Sequence, residues 1–245
     1  MEFSDRAVSE LIVMISGGFA LAYQEVVPEF ERSAGVALKT LSGASQGTGP
    51  TTIKSQLERG IRVDVVILSN EGLHELTEAG WILQGSATEL ASAPLAAAVR
   101  AGTLKPDIST VAAFKRSLLK ARLVVMPGST SGLFIKNQVL PKLGIAGEVR
   151  SKLVPRGTDS AAALAAGEAD IALGPVSELV NVDGIELVGP LPEEVQLVQT
   201  FTAAIVKACR KVDDAERLTA FLASDRTTAA IRKTGMEPAG DHRAR

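Results

Sequence analysis

The sequence predicts an α/β protein built as two similar lobes with mixed, mostly parallel sheets, and three observations carry that prediction. Short apolar runs alternate with helical stretches from end to end, as βαβ units require. Hydrophobic residues make up 46% of the 245 and aromatics only 4%, an aliphatic interior suited to strands covered on both faces. An order of elements met in the first half also returns in the second. "IVMISGGFALAYQEVVPEFERSAGV" from Ile12 and "VVMPGSTSGLFIKNQVLPKLGIAGEV" from Val124 both read strand, Ser/Gly loop, helix, Pro, Gly. "QLERGIRVDVVILS" from Gln56 and "ALAAGEADIALGPVS" from Ala163 both end a helix on Gly (Gly60, Gly167) and then set an Asp (Asp64, Asp170) at the head of an apolar strand. Repeats of this kind decide architecture.

The elements follow in order. The apolar run Leu11–Ile15 reads as a strand and is far too short to span a bilayer. A helix over Phe19–Ser33, a strand over Val36–Leu41, a helix over Thr51–Gly60 and a strand over Val63–Leu68 complete the first repeat. A helix over Glu71–Ala79, a strand over Leu95–Val99 and a helix over Val111–Leu119 lead into the second. That repeat runs through a strand at Leu123–Met126, a helix at Ser131–Leu143, a strand at Lys152–Pro155, a helix at Asp159–Ala166 and a strand at Ile171–Leu173. After a strand at Thr202–Val206, two helices close the chain. They span Asp213–Ala223 and Asp225–Thr234, with Asp213 and Ser224 as caps and Gly235 as the stop.

Composition removes several classes of function. The net charge of −2 and the lack of Lys/Arg clusters interleaved with aromatics argue against nucleic acid. No stretch is long and apolar enough for membrane insertion. The start "MEFSDRAVSE" has acids and no apolar h-region, so a cytoplasmic location is expected for the chain as encoded, and a periplasmic one if it is a trimmed mature form. The single cysteine, Cys209, reads as a small buried hydrophobe. Two histidines and one cysteine, widely separated, are too few for a metal site, and no P-loop or dinucleotide fingerprint is present. No cofactor is expected.

Chemistry concentrates in four loops that follow strands and open helices: Ser16-Gly17-Gly18, Ser45-Gln46-Gly47-Thr48, Ser129-Thr130-Ser131-Gly132 and Gly157-Thr158-Asp159-Ser160. A helix N-terminus offers unpaired N–H groups and a favourable dipole, glycine permits close approach, and hydroxyls add donors. The same residues also serve as ordinary caps. Gly43-Ala44-Ser45-Gln46-Gly47 matches the G-x-S-x-G nucleophile elbow, but His74 lies in a surface helix and His242 in a polar tail, so Ser45 lacks the partners of a hydrolase. Asp64 and Asp170 read as turn-fixing residues. Arg100, Lys115 and Arg156 are the candidates for bringing positive charge to a cleft, Arg156 foremost, with surface solvation the competing role.

"ISGGF" after the first strand and "SGASQGTGPTTIKSQLERGIRVDVVILSNEGLHELTEAGWI", together with "VRAGTLKPDIST", "AALAAGEADIALGPVSEL" and "AERLTAFLASDRTTAAIRKTGMEP", resemble the periplasmic molybdate-binding family and, more broadly, the type 2 periplasmic binding proteins, over about residues 9 to 238. The resemblance implies two lobes joined by a two-crossing hinge, residues 1–92 plus 203–245 forming one and 93–202 the other. It implies anion contacts at Ser16, at Ser45, near Thr130 and Ser131 and near Asp159 and Ser160, and with their neighbours the candidate ligand-binding residues are Ser16, Gly17, Gly18, Ser45, Gln46, Gly47, Ser69, Thr130, Ser131, Gly132, Asp159, Ser160 and Pro175. The tyrosine with which the family completes its oxyanion site is replaced here by Gly174-Pro175-Val176-Ser177, which favours a larger organic carboxylate over molybdate. A monomeric binding protein for a small anion is expected, served by an ABC transporter permease if exported. A cytoplasmic ligand sensor is a further alternative. Some proteins of this shape, aconitate isomerases, are cofactor-free enzymes. For such a reaction the general base is open among Glu178, Asp159 and His74.

Overall fold

The computed structural model describes residues 9–240, so His242 falls outside it. The first repeat consists of β1 (Ser9–Ile15), α1 (Gly17–Ala34), β2 (Val36–Ser42), α2 (Ile53–Glu58), β3 (Val65–Ser69) and α3 (Asn70–Glu78). The long β4 (Thr88–Arg100) and α4 (Val111–Lys120) lead to the second repeat. There β5 (Val124–Pro127) is followed by α5 (Thr130–Phe134), a π-helical turn (Ile135–Val139) and α6 (Leu140–Lys142), then β6 (Ser151–Val154), α7 (Gly157–Ala165) and β7 (Ile171–Pro175). The chain ends through a 3₁₀ turn (Val176–Glu178), β8 (Ile185–Pro190), β9 (Val198–Ile205), α8 (Val212–Leu222), α9 (Thr228–Lys233) and the short β10 (Glu237–Pro238).

One curled sheet runs in the order β2-β1-β3-β9-β4-β7-β5-β6, with β8 and β10 also pairing to β4. The strands β2-β1-β3 and β6-β5-β7 form two parallel triplets, and every antiparallel pair involves β4 or β9. Within β4 the partner changes at one point: residues up to Pro94 pair with β9, and Leu95 onward with β7. Proline has no N–H for a ladder and sits where the ladder changes hands. Beside it, the side-chain amide of Gln196 stands in for a strand, accepting from Leu95 N–H at 2.7 Å and donating to Leu95 O at 3.1 Å.

The internal repeat appears as equivalent bonding. Asp64 N–H donates to Ile12 O (2.8 Å) while its carboxylate accepts from Ile12 N–H (2.9 Å). Asp170 N–H donates to Leu123 O (3.0 Å) while its carboxylate accepts from Arg122 N–H (2.7 Å). Each aspartate ties the start of its own strand to that of the neighbouring parallel strand, a structural role.

Three apolar clusters follow from this layering. One face of each triplet has its own core, around Met14, Ile53 and Leu76 in the first and around Phe114, Met126 and Ile135 in the second. On the other face a single core runs through both, joining Phe19, Tyr23 and Phe30 of α1 to Leu164 of α7 and Phe221 of α8. Fully burying such a side chain contributes about 1.5–3 kcal/mol. Cys209 is a buried free thiol in this shared core. Tyr23 is buried as well, its hydroxyl 3.2 Å from Thr40 Oγ1 and its pKa pushed up to about 12 by burial.

Several expectations need adjustment. The strand expected at Leu95–Val99 extends back to Thr88, because a residue pair such as Ser92 and Thr200 gains its ladder from β9 rather than from apolar patterning. The helix expected over Ser131–Leu143 is broken into three segments by its π turn. The cap of α8 is Lys211, with Asp213 and Asp214 inside the first turn, where they still favour the helix dipole.

Candidate functional site

All four Ser/Gly loops leave the carboxyl ends of parallel strands, and backbone bonds hold neighbouring loops together. Ser16 N–H reaches Ile67 O (2.8 Å) and Gly43 N–H reaches Ile15 O (3.0 Å), so the loops after β1, β2 and β3 start side by side. In the second triplet Gly128 N–H reaches Val154 O (2.6 Å). Direct contacts then join one triplet's loops to the other's. Ser69 Oγ and Thr130 Oγ1 share a hydrogen bond of 2.8 Å, both residues being buried. Gln46 N–H donates to Ser129 Oγ at 3.4 Å. Gly47 has φ 121°, and a Cβ there would lie 2.7 Å from Gly128 O, so this crossing requires glycine. Ser45 Oγ accepts from Ser69 N–H at 3.0 Å, which leaves its own proton free to donate.

The other two corners meet on Glu178. Its carboxyl lies between the first turns of α1 and α7, so close that a Cβ on Gly17 would overlap Oε1 and one on Gly157 would overlap Oε2. The turn that carries it is tied down from the C-terminal segment. Asn181, in a left-handed conformation (φ 57°), donates to Lys233 O at 3.1 Å. A Cβ on Gly235 would touch Val176 at 3.1 Å. Burial pushes the Glu178 carboxyl up to about 7, from an ordinary 4.5. Its surroundings are glycine backbone, not cations. Arg156 is turned to Asp159 at 3.3 Å and is itself exposed.

Around this carboxyl, buried polar atoms lack partners among the described residues. Ser16 Oγ at the start of α1, Ser160 Oγ in the first turn of α7 and Ser177 Oγ beside Glu178 belong to residues 4%, 1% and 1% exposed. Gln199 Oε1 on β9 is orphaned too, on the same strand face as Phe201, whose ring packs on Gly18. An unpaired buried polar group costs about 1–3 kcal/mol. Ser16 and Ser160, at the two helix starts that face Glu178, read as donors arranged for a polar guest.

Among the residues singled out from sequence, Ser45, Ser69 and Thr130 form one hydrogen-bonded set, while Ser16, Gly17 and Ser160 stand at the two helix starts that face Glu178. Ser131 is buried on the first turn of α5. Others have plainer roles. A Cβ on Gly18 would overlap Phe201, and one on Gly132 would overlap Pro127 O, so both permit close packing. Gln46 turns its amide to Glu75 at 2.5 Å. Asp159 faces Arg156, and Pro175 closes β7 opposite Leu95. His74 is 72% exposed and pairs with Glu78 at 3.3 Å. Lys115 donates to Leu143 O, and Arg100 lies at the far end of β4. The sequence reading missed Ser177 and Gln199 and set Glu178 level with Asp159 and His74. The available signal was a single acid, Glu178, within the otherwise uncharged run Ile171–Val182.

Residues 11–237 match the family described as bacterial extracellular solute-binding protein. The chain belongs to the bacterial extracellular solute-binding protein family. A curated relative is the aconitate isomerase of a Pseudomonas species, 32% identical over 235 residues that cover 95% of this chain and 89% of that protein. The periplasmic molybdate-binding protein of Azotobacter vinelandii superposes with a TM-score of 0.71 at 19% identity, covering 92% of this chain and 98% of that one. AgtB of A. tumefaciens, solved with agropinic acid, gives a TM-score of 0.70 at 15% identity, covering 95% and 84%. These two likenesses establish the type 2 periplasmic binding protein fold.

Glu178 Oε2 also stands 4.0 Å from a Cβ built on Gly174. Two surface cavities lie elsewhere. One of about 320 Å³ surrounds Arg100, Arg122 and Asp170, and one of about 380 Å³ surrounds His74, Thr77 and Thr202. Neither is lined by Ser45, Thr130 or Glu178.

Proposed function

We propose that this protein binds a small organic polycarboxylate between its two triplets and isomerises it without a cofactor. The carrying observation is Glu178, an acid held at about 7 where two helix N-termini meet. A group with that pKa can both give and accept a proton at neutral pH, which is what general acid–base catalysis asks of it. Moving a double bond next to a carboxylate breaks one C–H bond and forms another, with the electron pair shifting along carbon and no net gain or loss. Neutral hydroxyl and amide donors from Ser16, Ser45, Ser69, Thr130, Ser131 and Ser160 would hold the carboxylates and the charge that develops beside them. The aconitate isomerase relative supports this substrate class.

In this reading the chain works as two lobes, 1–92 with 203–245 and 93–202, that close on the ligand by bending of β4 and β9. The change of partner at Pro94 and Leu95 supports that placement of the hinge. Incubation with cis- or trans-aconitate, followed by interconversion, tests the proposal. Glu178→Gln is expected to lower turnover by more than a hundredfold while binding persists. Absence of turnover across a panel of unsaturated polycarboxylates would remove the enzyme. Binding without turnover would favour the second reading, capture of a carboxylate solute for a transporter, which the family description supports.

A further inference from the structure

We propose that a ligand carboxylate enters this cleft together with one proton, which is then shared between it and Glu178. The inference rests on the polycarboxylate reading and adds its proton stoichiometry. The cradle at the start of α1 and α7 is built for one negative charge: two helix N-termini of 18 and 9 residues, with Ser16 Oγ and Ser160 Oγ buried and unpartnered. Glu178 already places its own carboxyl there, against Gly17 and Gly157. A second carboxylate beside it meets the problem of two acids at contact distance, which is relieved when one proton is held between them.

Charged side chains on the surrounding elements do not offer an alternative counter-charge. Arg156 and Asp159 of the α7 start pair with each other. Glu25 and Glu29 of α1 pair with Lys233 and Arg226, and Glu31 accepts from Leu38 N–H. Arg32, Glu89 and Arg100 stand at the distant ends of α1 and β4, and Glu237 lies in the exposed β10. β7 carries no charged residue. The proton therefore comes from solvent, and a shared proton also neutralises the ligand carboxylate beside the carbon acid.

The test is calorimetric titration of the wild-type protein with tricarballylate, a saturated tricarboxylate that cannot isomerise, in two buffers of different ionisation enthalpy. At about pH 8.5, where Glu178 is ionised in the free protein, uptake of about one proton per ligand is expected, falling toward zero below about pH 6. Affinity is expected to fall about tenfold per pH unit above about pH 7. Glu178→Gln, checked for folding by circular dichroism, is expected to bind with no proton uptake and no such pH dependence. Binding with zero uptake at about pH 8.5 would overturn the inference and leave the polycarboxylate reading intact. Failure of tricarballylate and aconitate to bind the folded wild-type protein at any pH would overturn both.

Discussion

Ser69 and Thr130, 61 positions apart and on different triplets, share a buried hydrogen bond of 2.8 Å between their hydroxyls. Ser69 also accepts from Gly72 N–H as the cap of α3, while its own N–H is held by Ser45 Oγ. One serine thus caps a helix, braces the loop after β2 and fastens the two triplets. The bond joins one triplet to the other, so its energy bears on their contact more than on either triplet's own fold.

Thr130→Val removes one partner and leaves the buried Ser69 hydroxyl only the Gly72 N–H, at about 1–3 kcal/mol. Ser69→Ala does the reverse. The double variant is expected to be less destabilised than the sum of the singles by about 1 kcal/mol or more, read from urea unfolding in a double-mutant cycle. Small-angle scattering of each single variant without ligand is expected to show a larger radius of gyration. Simple additivity of the two single effects would show that the two hydroxyls do not couple the triplets.

Gly17 and Gly157 confront Glu178 so closely that neither position has room for a methyl group. Gly17→Ala is therefore expected to destabilise by about 1–3 kcal/mol, since the acid must leave its place against the backbone. The cause is local and can be separated from helix propensity, which by itself favours alanine over glycine. In a Glu178→Ala background the same Gly17→Ala change is expected to be neutral or stabilising. A penalty that persists there would mean that something other than Glu178 fills the space.

Glu178 also predicts how stability follows pH. Folding raises its pKa from an ordinary 4.5 to about 7, so the folded chain holds this proton more tightly than the unfolded one. The favourable contribution is complete below about pH 4.5 and is lost as pH rises through about 7, a change on the order of 3 kcal/mol. Glu178→Gln has no proton to lose, so its stability is expected to change less across this window and to exceed the wild type's at about pH 8. The comparison requires denaturant unfolding at several pH values on ligand-free protein. Parallel curves for the two proteins would show that Glu178 titrates normally.

How much of this was legible beforehand depends on what each feature obeys. Asp64 and Asp170 were readable because the repeat fixes their place at the head of a strand, and their backbone bonds obey the same local geometry twice. The four loops were readable as Ser/Gly runs between a strand and a helix. The convergence of Gly17, Gly157 and Glu178 was not, because it depends on how far two triplets fold toward each other, and no local pattern encodes that distance. Gly18 and Gly132 looked equivalent to Gly17 in sequence, yet they pack against Phe201 and Pro127. A glycine's neighbour in space, not its motif, decides which role it takes. Gln199 was hidden for a related reason: it precedes the strand expected at Thr202–Val206, and its orphaned Oε1 matters only through the face that it shares with Phe201.

Ser45 provides the sharpest contrast between motif and structure. Its G-x-S-x-G context is that of a nucleophile, but its hydroxyl accepts from Ser69 N–H, and His74 is engaged with Glu78 on an exposed helix face. Activation of a serine needs a base within hydrogen-bond reach, and none of the described residues bonded to Ser45 can act as one. Fluorophosphonate probes are therefore expected to leave Ser45 unlabelled in the folded protein. Ser45→Ala is expected to cost about 1–2 kcal/mol, because Ser69 N–H loses its acceptor. Ligand at a hundredfold excess over Kd should add about 2.7 kcal/mol to the wild type. A bulky replacement, Ser45→Leu, is expected to abolish that gain by obstructing the cleft. If the gain survives Ser45→Leu in a folded protein, the carboxylate does not bind beside the loop after β2, and the cleft must be read around Glu178 alone.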